Sequence, residues 1–272
     1  MPFRRAPYAI ALLFAVTILA FWPGYFGRLA ASPLAFHFHG ITASLWLVML
    51  AAQSATIHGG RRDLHRAIGL SSLALFPLLL GGSAAVLHSM AVATASGTDP
   101  FYNIYGARLA IIDASSIPLL GWLYFNAIRD RRSVQRHARF LMATPLPLLM
   151  PIVGRLLNHH VPGLIIMGPQ DFGLFAIGLR LSSLFAIAVA GWLYASDPRH
   201  GRPFLVAGIV IAGQTIAFDT IGHVAGWQQL VVALGRLPSL PIILAVVGIG
   251  IAISWLAWVA GGSTMQRRAA RT

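Results

Sequence analysis

In the stretch QTIAFDTIGHVAGW, Asp219 and His223 stand four residues apart. On a helix that spacing puts a carboxylate and an imidazole on one face, where they can hold one metal ion or the acid can orient the ring. His39 and His88 lie in other apolar segments at the corresponding depth. His39, His88, Asp219 and His223 are therefore the candidate metal ligands, for copper or zinc, and two histidines on facing helices suit a b-type haem. A second group is charged: Asp113 in RLAIIDASS, Arg108 just before it, Arg155 in PIVGRLLNHH and Arg180 in FAIGLRLSSLF. Embedded arginines and acids are costly in hydrocarbon unless paired or hydrated, so they are expected to face one another or a cavity. With Gln53 and Gln214 they form the candidate substrate-binding set. The arginines would attract an anionic carboxylate or phosphate, and the acids would exchange protons.

The chemistry that is missing narrows the field. The 272 residues include no cysteine, lysine or glutamate. Disulfides, iron–sulfur clusters and thiolate-held copper or zinc are excluded within this chain, as is a retinal-type Schiff base, which needs a lysine. No Ser–His–Asp spacing, phosphate-cradling glycine loop or nucleotide motif is present. A net charge of +13 would suggest nucleic acid in a water-soluble chain. Here 57% of residues are hydrophobic and only 10% charged, which points instead to a lipid bilayer as the partner, with arginines flanking its spans.

Apolar runs of about 20 residues are long enough to cross a bilayer. Eight are expected, over roughly 7–26, 34–57, 67–93, 104–127, 140–158, 172–195, 204–225 and 239–260. The first follows MPFRR and reads as a retained anchor rather than a cleaved leader. Fifteen of the 20 basic residues, all arginines, then fall at one end of the bundle. The exceptions are Arg28, Arg108, Arg155, Arg180 and Arg236. By the positive-inside rule both termini are expected in the cytoplasm. The fold class is all-α, a polytopic transmembrane bundle forming one membrane domain over residues 1–272, in a bacterial inner membrane. Pro145, Pro147 and Pro151 should kink or break the fifth span, because proline removes helix hydrogen bonds.

Within this frame the ionisable side chains embedded in the spans concentrate in the half toward the arginine-poor end. His39, Trp46 and Gln53 are spaced by seven and so form one stripe on the second span. GWLY recurs at 121–124 and 191–194, each time followed after four intervening residues by an arginine, a short internal echo.

His39, then Gln53 fourteen residues on, then LHRAIG at 64–69, RHARFLM at 136–142 and GRLL around Arg155 resemble an uncharacterised family of bacterial multi-pass inner-membrane proteins. The resemblance covers about 36–156, and more weakly Gln214 and Trp227. It implies location and threading, not a reaction, and His88 and His223 stand outside it. The leading expectation is a haem- or metal-binding redox or cofactor-handling protein. The alternatives are a metal-free transporter or lipid-handling protein for an anionic small molecule, and a structural or assembly subunit working with a partner subunit or a second copy.

Overall fold

A computed structural model describes residues 2–269, with side chains through residue 262. Among the described residues there are ten α-helices and no strand. They are α1 (Ala6–Phe21), α2 (Leu34–His58), α3 (Arg62–Ser96), α4 (Pro100–Arg129), α5 (Val134–Ala143), α6 (Leu146–His160), α7 (Phe172–Ser196), α8 (Arg202–Asp219), α9 (Ala225–Gly235) and α10 (Ser239–Ala269). Seven segments are long and apolar enough to cross a membrane, α5 and α6 together making one of them. At 16 residues, α1 is a shorter apolar helix.

The fifth span breaks where its prolines predict. α5 ends at Ala143 and α6 begins at Leu146. Pro145 and Pro147 supply no N–H at this point, so the carbonyls one turn earlier lose their helical donors. The seventh span differs from expectation. α8 stops at Asp219, a 3-10 turn covers Ile221–His223, and a separate helix, α9, follows.

The helices close on themselves. α1 packs on α2, α2 on α3, α3 on α4, α4 on α8, α8 on α7, α7 on α6, and α6 back on α1. α10 lies outside this ring against α3 and α4. At 35 and 30 residues, α3 and α4 run to about 52 and 45 Å, well beyond the ~30 Å of hydrocarbon. α9 covers their overhanging ends: Val231 is buried against Ala91, Ala107 and Ala110, and Trp227 Nε1 donates to the Ala107 carbonyl at 2.6 Å.

Half of the ring's interior is filled. Trp46, Phe76, Leu80, Leu123 and Tyr124 are almost wholly buried there, with Phe76 and Tyr124 stacked at 3.9 Å between centroids. Trp46 Nε1 donates to Thr144 Oγ1 at 2.9 Å, which ties α2 to the break between α5 and α6. α2 and α3 approach closely because Gly82 has no side chain, and a Cβ there would stand 2.9 Å from the His39 Cα. Gly82→Leu is therefore expected to cost about 1–3 kcal/mol through overpacking, seen as a lower unfolding temperature in detergent. A variant as stable as the parent would show that α2 is not held by this contact.

The arginine-rich turns share one end of the bundle, along with Arg4 and Arg5. Arg267, Arg268 and Arg271, read from sequence as part of the same belt, lie outside the side chains described. His65 and His137, each the fourth residue of its helix, pin a carbonyl of the preceding helix. His65 Nδ1 lies 3.1 Å from the Gln53 carbonyl and His137 Nδ1 2.8 Å from that of Ala127. A carbonyl only accepts, so both Nδ1 atoms carry the proton. Nearby, Asp197 receives the buried Arg139 and the His200 ring. Burial pushes the Asp197 carboxyl up, but His200 and Arg139 outweigh it and hold the group below the usual carboxylate range. The GWLY echo is not a packing repeat, since Trp122 packs on Phe140 while Trp192 is 70% exposed.

Candidate functional site

Toward the arginine-poor end, beside the aromatic cluster of Phe101, Tyr105, Phe175 and Phe218, lies a group of charged side chains. Arg155 rises on α6, five residues before that helix ends. Helical side chains lean toward their own N-terminus, and α6 runs from the mid-bundle break toward the arginine-poor end, so the guanidinium is drawn back toward the middle of the bundle. Its Nη1 donates to the Pro151 carbonyl at 3.2 Å, and its centre sits 4.3 Å over the Phe21 ring of α1. His39 of α2 and Asp113 and Tyr102 of α4 all lie within electrostatic reach of it. α2, α4 and α6 are not neighbours in the ring, so this electrostatic reach runs across its interior.

These side chains are poorly satisfied by protein. Asp113 makes no ion pair or hydrogen bond among the described residues, and Arg155 has no carboxylate within 4 Å. His39 Nδ1 is buried with no hydrogen-bond partner. Yet Arg155 is open to a water-sized probe, and Asp113 and His39 are partly so. The arrangement of these accessible, unpaired groups implies a chamber between α2, α4 and α6. Its floor is the apolar layer of Trp46, Phe76 and Tyr124, closed by the Trp46–Thr144 hydrogen bond. Tyr102, Asp113 and Tyr124 are spaced by eleven, three full turns, so one face of α4 carries all three.

The remaining candidates are used elsewhere. Arg108 Nη2 meets Asp219 Oδ1 at 2.9 Å, and Arg180 grips the same carboxylate with both Nε and Nη2 at 2.9 Å. Arg108 also donates from Nε to the Phe218 carbonyl at 3.1 Å and lies 3.9 Å over the Phe218 ring. This cluster bolts α4, α7 and α8 together. Gln214 Nε2 donates to the Ile112 carbonyl and to the Ser115 and Ser116 hydroxyls, holding α8 on α4. Gln53 Nε2 donates to the His65 carbonyl at 2.7 Å, at the far end of the bundle from Arg155. Of the six residues expected to bind substrate, Asp113 and Arg155 share the chamber.

The expected metal ligands do not converge. Among the described residues no group of three or more His, Cys, Asp or Glu side chains is placed to hold an ion. His88 Nε2 is bonded to the Leu237 carbonyl at 2.9 Å, fastening the turn before α10. Asp219 is taken by two arginines. His223 is exposed on the 3-10 turn, because α8 ends at Asp219 and the four-residue spacing no longer defines a helix face. Gly222 enforces that turn by pressing on Arg108, where a Cβ would stand 3.0 Å from the Cα. His39 alone of the four faces the chamber. Sequence reasoning missed Tyr102 and Thr144, since neither is charged and neither has a partner close in sequence.

The fold defines an all-α protein with seven segments long and apolar enough to cross a membrane, carrying an unpaired cluster of Arg155, Asp113 and His39. Comparison with protein-family models, with curated proteins and with solved structures returns no match to this chain.

Proposed function

We propose that this protein is a carrier for a small anionic molecule, a carboxylate or a phosphate, and that it works without a metal or haem. The observation that carries this reading is the Arg155 guanidinium, held across the ring interior with no protein carboxylate in contact. A planar, permanently charged donor that is accessible and free of any protein carboxylate is suited to gripping an anion through paired hydrogen bonds. Asp113 and His39 are the groups that exchange protons with the cargo, so that charge entering the chamber is balanced there. The break between α5 and α6 next to the Trp46–Thr144 contact supplies the hinge at the floor, as interrupted helices do in carriers. By the distribution of arginines the chamber opens to the periplasmic side of a bacterial inner membrane, with both termini in the cytoplasm.

The lack of cysteine makes a direct test simple. Asp113→Cys, reconstituted in vesicles, is treated with methanethiosulfonate reagents bearing either a sulfonate or a quaternary ammonium. The proposal expects the anionic reagent to react faster, and expects Arg155→Gln in the same background to remove that preference. A cysteine at 113 that resists both reagents, or reacts faster with the cation, would count against an anion chamber.

A further inference from the structure

A second cationic site faces the lipid. α7 and α8 present an apolar outer face on which Ile177, Leu181, Leu184 and Ile216 are exposed. Amid these residues the Arg180 side chain is 48% exposed. Asp219 is its partner, but that one carboxylate also serves Arg108. Two guanidiniums against one carboxylate leave one positive charge uncompensated. Arg108 is shut away at 9% exposure, so the surplus is presented outward through Arg180. Nη1 of Arg180 has no acceptor among the described residues, because Nε and Nη2 make its bonds to Asp219.

Depth decides what can reach it. Arg180 is eight residues into α7, about 12 Å along the axis. α7 starts at the arginine-poor end, so the side chain leans toward that surface and lifts its charge to the boundary between acyl chains and headgroups. We infer that this edge of Arg180 binds the phosphate of an anionic phospholipid, whose acyl chains run down Leu181, Leu184 and Ile216. A second copy of the chain is a poorer fit. The remaining acids near this surface, Asp99 and Asp171, are half-buried and both are spent: Asp99 caps α4 through the Phe101 and Tyr102 amides, and Asp171 accepts from the Met167 amide. The inference stands apart from the carrier proposal, since the lipid-facing cluster and the chamber share no residue.

The test is native mass spectrometry and thermal unfolding of the full chain in detergent, with phosphatidylglycerol or phosphatidylcholine added. The parent is expected to retain phosphatidylglycerol and to be stabilised by it more than by phosphatidylcholine. Arg180→Gln should weaken phosphatidylglycerol binding at least tenfold, while Arg66→Gln at the opposite end should leave it unchanged at this site. Ile177→Asp guards against misfolding of the first variant: it keeps the Arg180–Asp219 pair, sets a competing carboxylate one turn nearer the headgroups, and should also displace the lipid. Retention of phosphatidylglycerol by both Arg180→Gln and Ile177→Asp, or equal binding of the two lipids by the parent, would overturn the inference. A parent dimer that Arg180→Gln converts to a monomer would do so as well, by assigning the face to a second copy.

Discussion

Asp219→Ala is expected to be among the most destabilising single changes in this protein, lowering its unfolding free energy by about 3 kcal/mol. Removing one partner of a buried ion pair typically costs ~3–5 kcal/mol, because the other charge stays behind in a poor solvent. The lower end applies because Asp219 is 31% exposed and Arg180 can turn to the interface. Arg108 cannot, at 9% exposure between the Phe218 and Tyr105 rings. The asymmetry makes a further expectation. Arg180→Gln should cost under about 1 kcal/mol, as for half-exposed pairs generally, whereas Arg108→Gln in the Asp219→Ala background should recover part of the loss by removing the stranded charge. Urea or thermal unfolding in bicelles reads all three. An Asp219→Ala protein as stable as its parent would show that the cluster does not join α4, α7 and α8.

The part of this architecture that could be read from sequence is the part set along the membrane normal. Apolar run length gave seven of the eight expected spans to within a few residues, the first being a 16-residue helix shorter than a span, and three prolines announced the break before Leu146. Depth along each span was legible too, which is why His39, Asp113 and Arg155 were grouped correctly at one end. Lateral direction was not. A span that is apolar on all sides carries little periodic signal to say which face meets protein, so His88, Gln53 and Gln214 read as site residues when they fasten neighbouring helices. The spacing of Asp219 and His223 misled for a different reason. It assumes an unbroken helix, and the helix ends at Asp219 so that Gly222 can lie against Arg108. α9 was missed because an 11-residue apolar segment is too short to span and reads as loop. It exists because the long α3 and α4 offer it a surface, where Val231 packs on Ala91, Ala107 and Ala110.

Arg155→Gln should behave in the opposite way to Asp219→Ala, and the contrast separates a site from a scaffold. Arg155 gains little from its surroundings: one carbonyl at 3.2 Å and one aromatic face at 4.3 Å. No carboxylate offsets the loss of hydration at close range, so removing the charge is expected to leave the unfolding temperature unchanged or slightly higher, as at sites where stability is traded for activity. Anion binding, in contrast, loses a charge-assisted hydrogen-bonding group worth ~1.5–3 kcal/mol, which is a ten- to hundredfold weakening at about 1.4 kcal/mol per factor of ten. Arg155→Lys should restore only part of this, because a compact ammonium keeps the charge but not the two-pronged geometry. The measurement is a titration of phosphate and short carboxylates against Trp46 fluorescence at the chamber floor, run beside thermal unfolding on the same samples. A large loss of stability with unaltered binding would assign Arg155 to packing and leave the chamber without its anion anchor.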